Sequence, residues 1–410
     1  MEQISSKNNI LSYILLSLLL AFTTFEYFFR YTILTFYLYL FALILYVLVR
    51  KYNITSKYIF GFWTLYCLIV FTQVIHGSEI SSILGRIIEF IGTLVIAGII
   101  NRNFVKCYIN IIVIISMYSL LFYILFYIEP AHNYLINELC PLFPSLNTGN
   151  ITNEVSELGG GKNIIIYNFF SGYTNIKYNV FRNCGPFWEP GQFAVFLNLA
   201  LFFNIFILKD SKIWSIKNVL ILSSIITTFS SGGYTALFLI LFLYILISKT
   251  NKSFKVLLIL ALINIIPILI GMDIFGGKVL TSYGNAASGI NDGNRFAAFF
   301  IQLRMIMESP FIGGESIQSY TQFSSLASGI LLPFVYWGIP IGLTFYCFIY
   351  VSFRRIIKLY KISNKISLYL FILVLVLAFP QTIITTRWFL LIIMVGLIRF
   401  ESEIYKLNNK

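Results

Sequence analysis

Apolar runs of roughly the length that crosses a bilayer recur along the whole chain, and this recurrence limits the possible folds more than any motif does. A helix rises about 1.5 Å per residue, so crossing about 30 Å of hydrocarbon takes roughly 20 apolar residues. Such runs fall near 10–29, 32–49, 59–76, 83–100, 107–128, 190–208, 216–229, 234–248, 256–271, 329–351, 366–380 and 383–399. The 410 residues are 58% hydrophobic with a mean hydropathy of +0.84, which leaves no stretch for a large soluble domain. The expected fold class is therefore all-α: a polytopic integral membrane protein in which residues 1–410 form a single transmembrane domain of about twelve helices. Only Lys7 precedes the first run as a basic residue, and no small-residue cleavage site follows that run. The first run is expected to stay as a span.

A net charge of +13 invites a nucleic-acid reading, but the distribution of the charge argues otherwise. With the N-terminus inside, nine of the 29 basic residues fall on outer loops or outer helix ends: Arg30, Arg86, Lys162, Lys177, Arg182, Lys278, Arg295, Arg304 and Arg387. All the others fall inside, which is the asymmetry expected of an N-in, C-in protein. No loop interleaves basic and aromatic residues as a nucleic-acid surface does.

Two outer segments are long, 129–189 and 272–328, and they hold most of the informative polarity. The first passes through a Gly159-Gly160-Gly161 tract and an Asn/Tyr-rich, strand-like section. It ends in Arg182, Asn183, Cys184, Gly185, Pro186, Phe187, Trp188, Glu189 and Pro190, directly before an apolar run. Pro190 suits a first helical position and would put Glu189 at the N-cap, where a carboxylate is favoured. Glu189 then either serves as a cap alone or orients and deprotonates a hydroxyl. Arg182 is either an interfacial anchor or a phosphate ligand. The run at 216–229 is short and meets the next through Ser230-Ser231-Gly232-Gly233, a plain hairpin or a dent open to the outside.

In the second loop an amphipathic segment, 294–308, carries Arg295, Arg304 and Glu308 and ends at Ser309-Pro310. At 100° per residue, Arg295 and Arg304 lie on opposite faces; Gln302 shares the face of Arg295, while Arg304 and Glu308 are an i,i+4 pair. Arg295 is accordingly the stronger candidate. Charges within or at the ends of spans single out Glu26 with Arg30, Arg86 with Glu89, and Arg387. The first two read as local pairs at helical spacing. Arg387 has no acidic residue within a turn and is the one expected to meet an anionic ligand.

His76 and His132 lie far apart and belong to no metal-ligand spacing, so neither metal nor cofactor is expected. Lys162 follows the glycine tract without the leading glycine or the Ser/Thr of a phosphate loop. Cys140 and Cys184 both fall in the first outer loop, where an oxidising exterior leaves a disulfide open.

Taken together, Arg182-x-x-Gly185 with Glu189-Pro190, the Ser231-Gly232 turn, Arg295 followed by Ser309-Pro310-x-x-Gly313, and Gly338-x-Pro340-x-Gly342 resemble the O-antigen polymerase (Wzy-type) and O-antigen ligase superfamily of membrane glycosyltransferases. The Ser231-Gly232 turn lacks the family's central Arg. The resemblance implies a GT-C-like architecture in a bacterial inner membrane, with the active site facing the periplasm. It also implies an inverting, metal-independent transfer of an undecaprenyl-diphosphate-linked glycan onto another lipid-linked repeat unit, in polysaccharide or lipopolysaccharide biosynthesis. Membrane lipid and a chain-length-regulating co-polymerase would be partners. Ligases carry a His-Asn pair where Ala327-Ser328 stands here, which favours polymerase over ligase and leaves Glu189, Glu308 or Glu315 to activate the acceptor. Arg182, Glu189 and Arg295 are then the catalytic candidates, and Arg387, Arg304, Glu308, Glu315 and Arg86 the substrate-binding ones. A lipid-linked oligosaccharide flippase or other secondary transporter is the alternative of a different class, although transporters bring their key groups to the midplane.

Overall fold

The computed structural model describes residues 2–28, 32–49, 56–143, 163–169, 181–208, 215–247, 295–314 and 328–398. The expected span at 256–271, the glycine tract, Arg30 and Glu315 lie outside these residues. Within them the chain is mostly helical: α1 (Glu2–Thr24), α2 (Thr32–Val49), α3 (Lys57–Ile75), α4 (Ile80–Ile100), α5 (Phe104–Phe126) and the short α6 (Glu129–Tyr134) lead to a two-stranded hairpin. Its strands β1 (Asn163–Ile164) and β2 (Tyr167–Asn168) are antiparallel, with Asn163 opposite Asn168. There follow α7 (Pro190–Phe202), α8 (Ile216–Thr227), α9 (Ser231–Ile247), α10 (Arg295–Glu308), α11 (Leu332–Leu359), α12 (Lys365–Ala378) and α13 (Arg387–Leu397).

Among the described residues, four helical runs are long and apolar enough to cross a membrane: Lys57–Ile75, Ile80–Phe126, Pro190–Leu208 and Leu332–Leu359. The second is two elements, because Asn101 takes φ 42 at the start of a single 3₁₀ turn and breaks the α-helical ladder between α4 and α5. The other apolar helices are shorter. Every expected span that falls on described residues coincides with one of these helices.

The helix ends differ from expectation at α1. The Thr23 and Thr24 hydroxyls donate to the carbonyls of Leu19 and Leu20, the helix stops at Thr24, and Phe25 forms an antiparallel bridge with Phe187. Glu26 is therefore beyond the helix, its N–H bound to Pro186 O at 3.0 Å, and the helical spacing assumed for Glu26 with Arg30 does not apply.

The chain divides into two compact units, residues 1–52 with 98–234 and residues 53–97 with 235–410. In the first, α7 is buried on every side, as an all-apolar helix at the centre of a bundle must be. It packs against α5 and α8, and α1 packs against α5 and α2. Tyr108 on α5 donates to Phe196 O at 2.9 Å, and Asn204, in the π-helical continuation of α7, donates to Asn218 Oδ1 at 2.8 Å. An aromatic cluster of Phe126, Tyr167, Phe169 and Phe181 encloses Leu135, Ile136 and Cys140 and ties the first loop to the end of α5. Cys140 and Cys184 are both buried and no disulfide joins them, so the pairing left open by the sequence is not made.

In the second unit α11 is central, packing on α3, α10, α12 and α13. It is broken at Gly338, where φ 78 and ψ 170 leave the helical region two residues before Pro340. The break is filled by the chain after α10. Ile339 N–H donates to Pro310 O at 2.7 Å, and Gly314 N–H donates to Val335 O at 2.9 Å, so the groups freed by the kink are satisfied by protein.

Candidate functional site

In the first unit the polar stretch 181–189 is held from three directions. Gly185 takes φ 54, in the left-handed region, and the Phe193 ring lies against its missing side chain. From the hairpin, Asn168 donates its N–H to Gly185 O at 2.7 Å and its amide to the carbonyls of Phe187 at 3.0 Å and Trp188 at 3.1 Å. From α1, Phe25 and Glu26 pair with the same backbone. From the α8–α9 turn, the anchor is Asn183.

Asn183 is fully buried. Its N–H donates to Thr227 O at 2.9 Å and its amide to Thr227 Oγ1 at 3.0 Å, while its Oδ1 accepts from Gly185 N at 3.0 Å and from the Tyr167 hydroxyl at 3.3 Å. Burial pushes the Tyr167 phenol well above its ordinary pKa, which keeps it a neutral donor to that oxygen. One side chain thus joins hairpin, lip and turn, and sequence reading had passed over it because a lone Asn in a loop carries no pattern. Asn183→Ala strips partners from several buried groups at once and is expected to cost about 1–3 kcal/mol. A fall in the unfolding midpoint of the detergent-solubilised protein checks it.

Arg182 is half-buried and its Nε donates to Thr228 O at 3.2 Å, so the guanidinium is fixed against the turn. Its charge lies within electrostatic reach of Tyr234, whose own hydroxyl donates to Ile226 O at 2.6 Å. The turn itself is tight: Phe229 takes φ 46, Ser230 O accepts from Tyr234 N at 2.9 Å, and Ser230 Oγ accepts from Gly233 N at 3.3 Å. A side chain at Gly233 would meet Ala194 Cβ at 2.6 Å, and Asn198 bridges α7 to α9 by donating to Gly233 O at 3.1 Å. Glycine here is a packing requirement between α7 and α9.

Glu189 is the N-cap residue of α7, with extended backbone (φ −147, ψ 156) and Pro190 following. Its carbonyl accepts from Phe193 N at 3.2 Å, but its carboxylate makes no capping hydrogen bond. The residue is at the expected position, with its charge at the positive helix end, and the role of side-chain cap is not the one it plays.

In the second unit the two motif segments 309–314 and 338–342 interlock backbone to backbone. Gly313, at φ 76, lies against the backbone of Tyr336 and Trp337, and Gly338 lies against the carbonyl of Phe311. On α10, Gln302 is fully buried, with neither amide atom hydrogen-bonded among the described residues. Position 295 is two turns earlier on the same helix, in register with Gln302. Arg304 and Glu308 form an exposed pair at 3.2 Å, which in water is worth a few tenths of a kcal/mol.

Arg387 begins α13, behind the N-cap Thr386, whose hydroxyl accepts from Phe389 N at 3.3 Å. Its Nε lies 3.8 Å from Glu89 Oε1, and Arg86 Nη1 lies 3.3 Å from Glu89 Oε2. The local Arg86–Glu89 pair is present, and Arg387, which has no acidic residue within a turn of its own helix and is expected to meet an anionic ligand, shares the same carboxylate. That partner is on another helix, α4, where sequence spacing cannot reveal it. Ser328 is fully buried, and its hydroxyl has no hydrogen-bond partner among the described residues. A side chain at the adjacent Gly329 would strike the Gln381 carbonyl. Among the described residues no group of three or more His, Cys, Asp or Glu is placed to hold a metal ion.

No protein-family model, curated protein or solved structure matches the chain.

Proposed function

We propose that this chain is a membrane polysaccharide polymerase of the Wzy type, transferring a glycan from a polyprenyl-diphosphate carrier onto another lipid-linked repeat unit. The observation that carries the reading is the pairing of the motif segments on which the resemblance rests. In one unit Arg182 and Asn183 bond to Thr228 and Thr227, just before the Ser230–Gly233 turn, and Ala194 and Asn198 of α7 meet Gly233 of that turn; in the other Ser309–Gly313 interlocks with the helix break at Gly338. Segments far apart in sequence that a family shares as short motifs are thus in direct contact within each unit.

In this reading the acceptor hydroxyl attacks the anomeric carbon of the donor sugar with inversion. The bond from that carbon to the diphosphate oxygen breaks, and the hydroxyl proton passes to a carboxylate, for which Glu189 is the first choice. The diphosphate leaves with the bonding pair. Arg182 meets that developing charge, because a guanidinium binds phosphoryl oxygens through paired donors, and the resemblance gives the same role to Arg295 with Arg387 in support. No metal is required. The helices are spans in an N-in, C-in arrangement that puts 129–189 and 272–328 outside; a cysteine introduced at Lys361 should be labelled only by reagents reaching the inner face.

The experiment is reconstitution with a defined diphosphate-linked repeat unit and a gel readout of product length. A ladder of lipid-linked oligomers, formed without added metal, is the expected product. Products only on a non-lipid-linked acceptor would reassign the chain as a ligase, and translocation without any new glycosidic bond would make it a transporter.

A further inference from the structure

We infer that Arg86, Glu89 and Arg387 together form an oxyanion-binding site in the second unit, built to take a phosphate ester of a lipid. It deepens the reading above, resting on that reading only for the choice of one probe.

Arg86 and Arg387 come from different helices and converge on one carboxylate, Arg86 on Oε2 and Arg387 on Oε1. The carboxylate is nearly buried, with its side chain 7% exposed, whereas the two arginine side chains are 42% and 33% exposed. The cluster of two guanidiniums and one carboxylate therefore keeps its negative member inside and its positive members towards the surface. The carboxylate acts as a fixed post between two cations that would otherwise repel each other.

Helix position alone favours neither arginine. Arg387 sits in the first turn of α13, at the positive end of the helix dipole, where a cation is disfavoured. Arg86 rides on an apolar helix long enough to cross a bilayer, where a guanidinium is expensive unless something answers it. The hydroxyls of Tyr66 and Tyr336 lie within electrostatic reach of Arg86, and Tyr66 donates to the Arg86 carbonyl at 3.2 Å, fixing that turn of α4. Backbone N–H groups at the start of α13 point the same way as its dipole, adding to the field an anion would meet. Paired guanidiniums beside a helix N-terminus are a donor set that phosphoryl oxygens take up.

A lipid phosphate can come from a diphosphate carrier or from a phospholipid headgroup. The test uses the full chain in nanodiscs of phosphatidylcholine and measures binding without turnover, so its outcome is separate from that of the polymerase assay. Farnesyl diphosphate is titrated in one arm and phosphatidylglycerol in the other, with bound probe counted by native mass spectrometry. Arg86→Gln and Arg387→Gln should each weaken binding of the accepted probe about tenfold or more, with Arg→Lys at either position intermediate, because the charge remains while the fork is lost. Arg354→Gln, an exposed arginine near the far end of α11, should leave binding unchanged. Arginine-dependent binding of farnesyl diphosphate assigns the site to the carrier, and arginine-dependent binding of phosphatidylglycerol alone assigns it to a headgroup; either supports the site. Should a Gln variant fail to fold, its Lys variant supplies the comparison. Binding of both probes that is absent in the folded wild type, or equal in wild type and folded variants, overturns the inference.

Discussion

Replacing Arg182 with Ala is expected to leave single lipid-linked repeat units unpolymerised, with the rate of extension falling about 10²–10³-fold, the usual effect of removing one preorganised donor to developing charge. The guanidinium is fixed through Nε to Thr228 O, so a substrate phosphate would meet a donor that needs no reorganisation. Arg182→Lys tests the geometry: charge is kept, the anchored fork is lost, and extension should recover only in part. Arg295→Ala should behave like Arg182→Ala, since position 295 shares the helix face of the buried Gln302. Arg304→Ala removes only an exposed pair and should shift stability by no more than about 0.5 kcal/mol. Extension is read as product length on a gel, and folding as a monodisperse elution with an unchanged unfolding midpoint. Normal long-chain product from both folded Arg182→Ala and Arg295→Ala would sink the assignment.

Gly338→Ala is expected to destabilise the second unit on the order of 3 kcal/mol or more. Two costs combine: Gly338 has φ 78 and ψ 170, a conformation essentially restricted to glycine, and an added Cβ would be driven into the Phe311 carbonyl. The Phe311 backbone cannot retreat without breaking Ile339 N to Pro310 O and Gly314 N to Val335 O, the bonds that satisfy the helix break. Gly342→Ala is milder, because its Cβ would meet the Phe334 ring, a side chain that can turn. Thermal unfolding of the two purified variants should rank them in that order, and a Gly338→Ala protein as stable as the parent would show that the interlock is not what holds the kink.

The positions of most of the helices were legible as apolar runs, although only four of the described runs reach the length that a bilayer needs. The N-cap position of Glu189 was also legible, since Pro at the first helical turn is a local preference independent of the rest of the fold. The preference of Arg295 over Arg304 came from helical periodicity, and the burial of Gln302 with the exposure of Arg304 follows the same period. Local rules failed where the partner is distant. α1 ends at Thr24, where the next residue bridges to Phe187, and Cys140 and Cys184 share one loop without being joined by a disulfide.

By itself the sequence determined a mostly helical chain with long apolar runs, a polar lip before α7, and which glycines and arginines stand beside prolines and helix starts. Those are consequences of hydrophobic length and backbone preference, each acting over one or two turns. Only tertiary structure decided that Asn183 joins three elements, that Gly313 and Gly338 each press against the backbone of the other's segment, and that Arg387 shares Glu89 with Arg86. Each of these is a close approach between residues far apart along the chain, and a hydrogen bond or a missing Cβ leaves no periodic trace in sequence from which such a partner could be read.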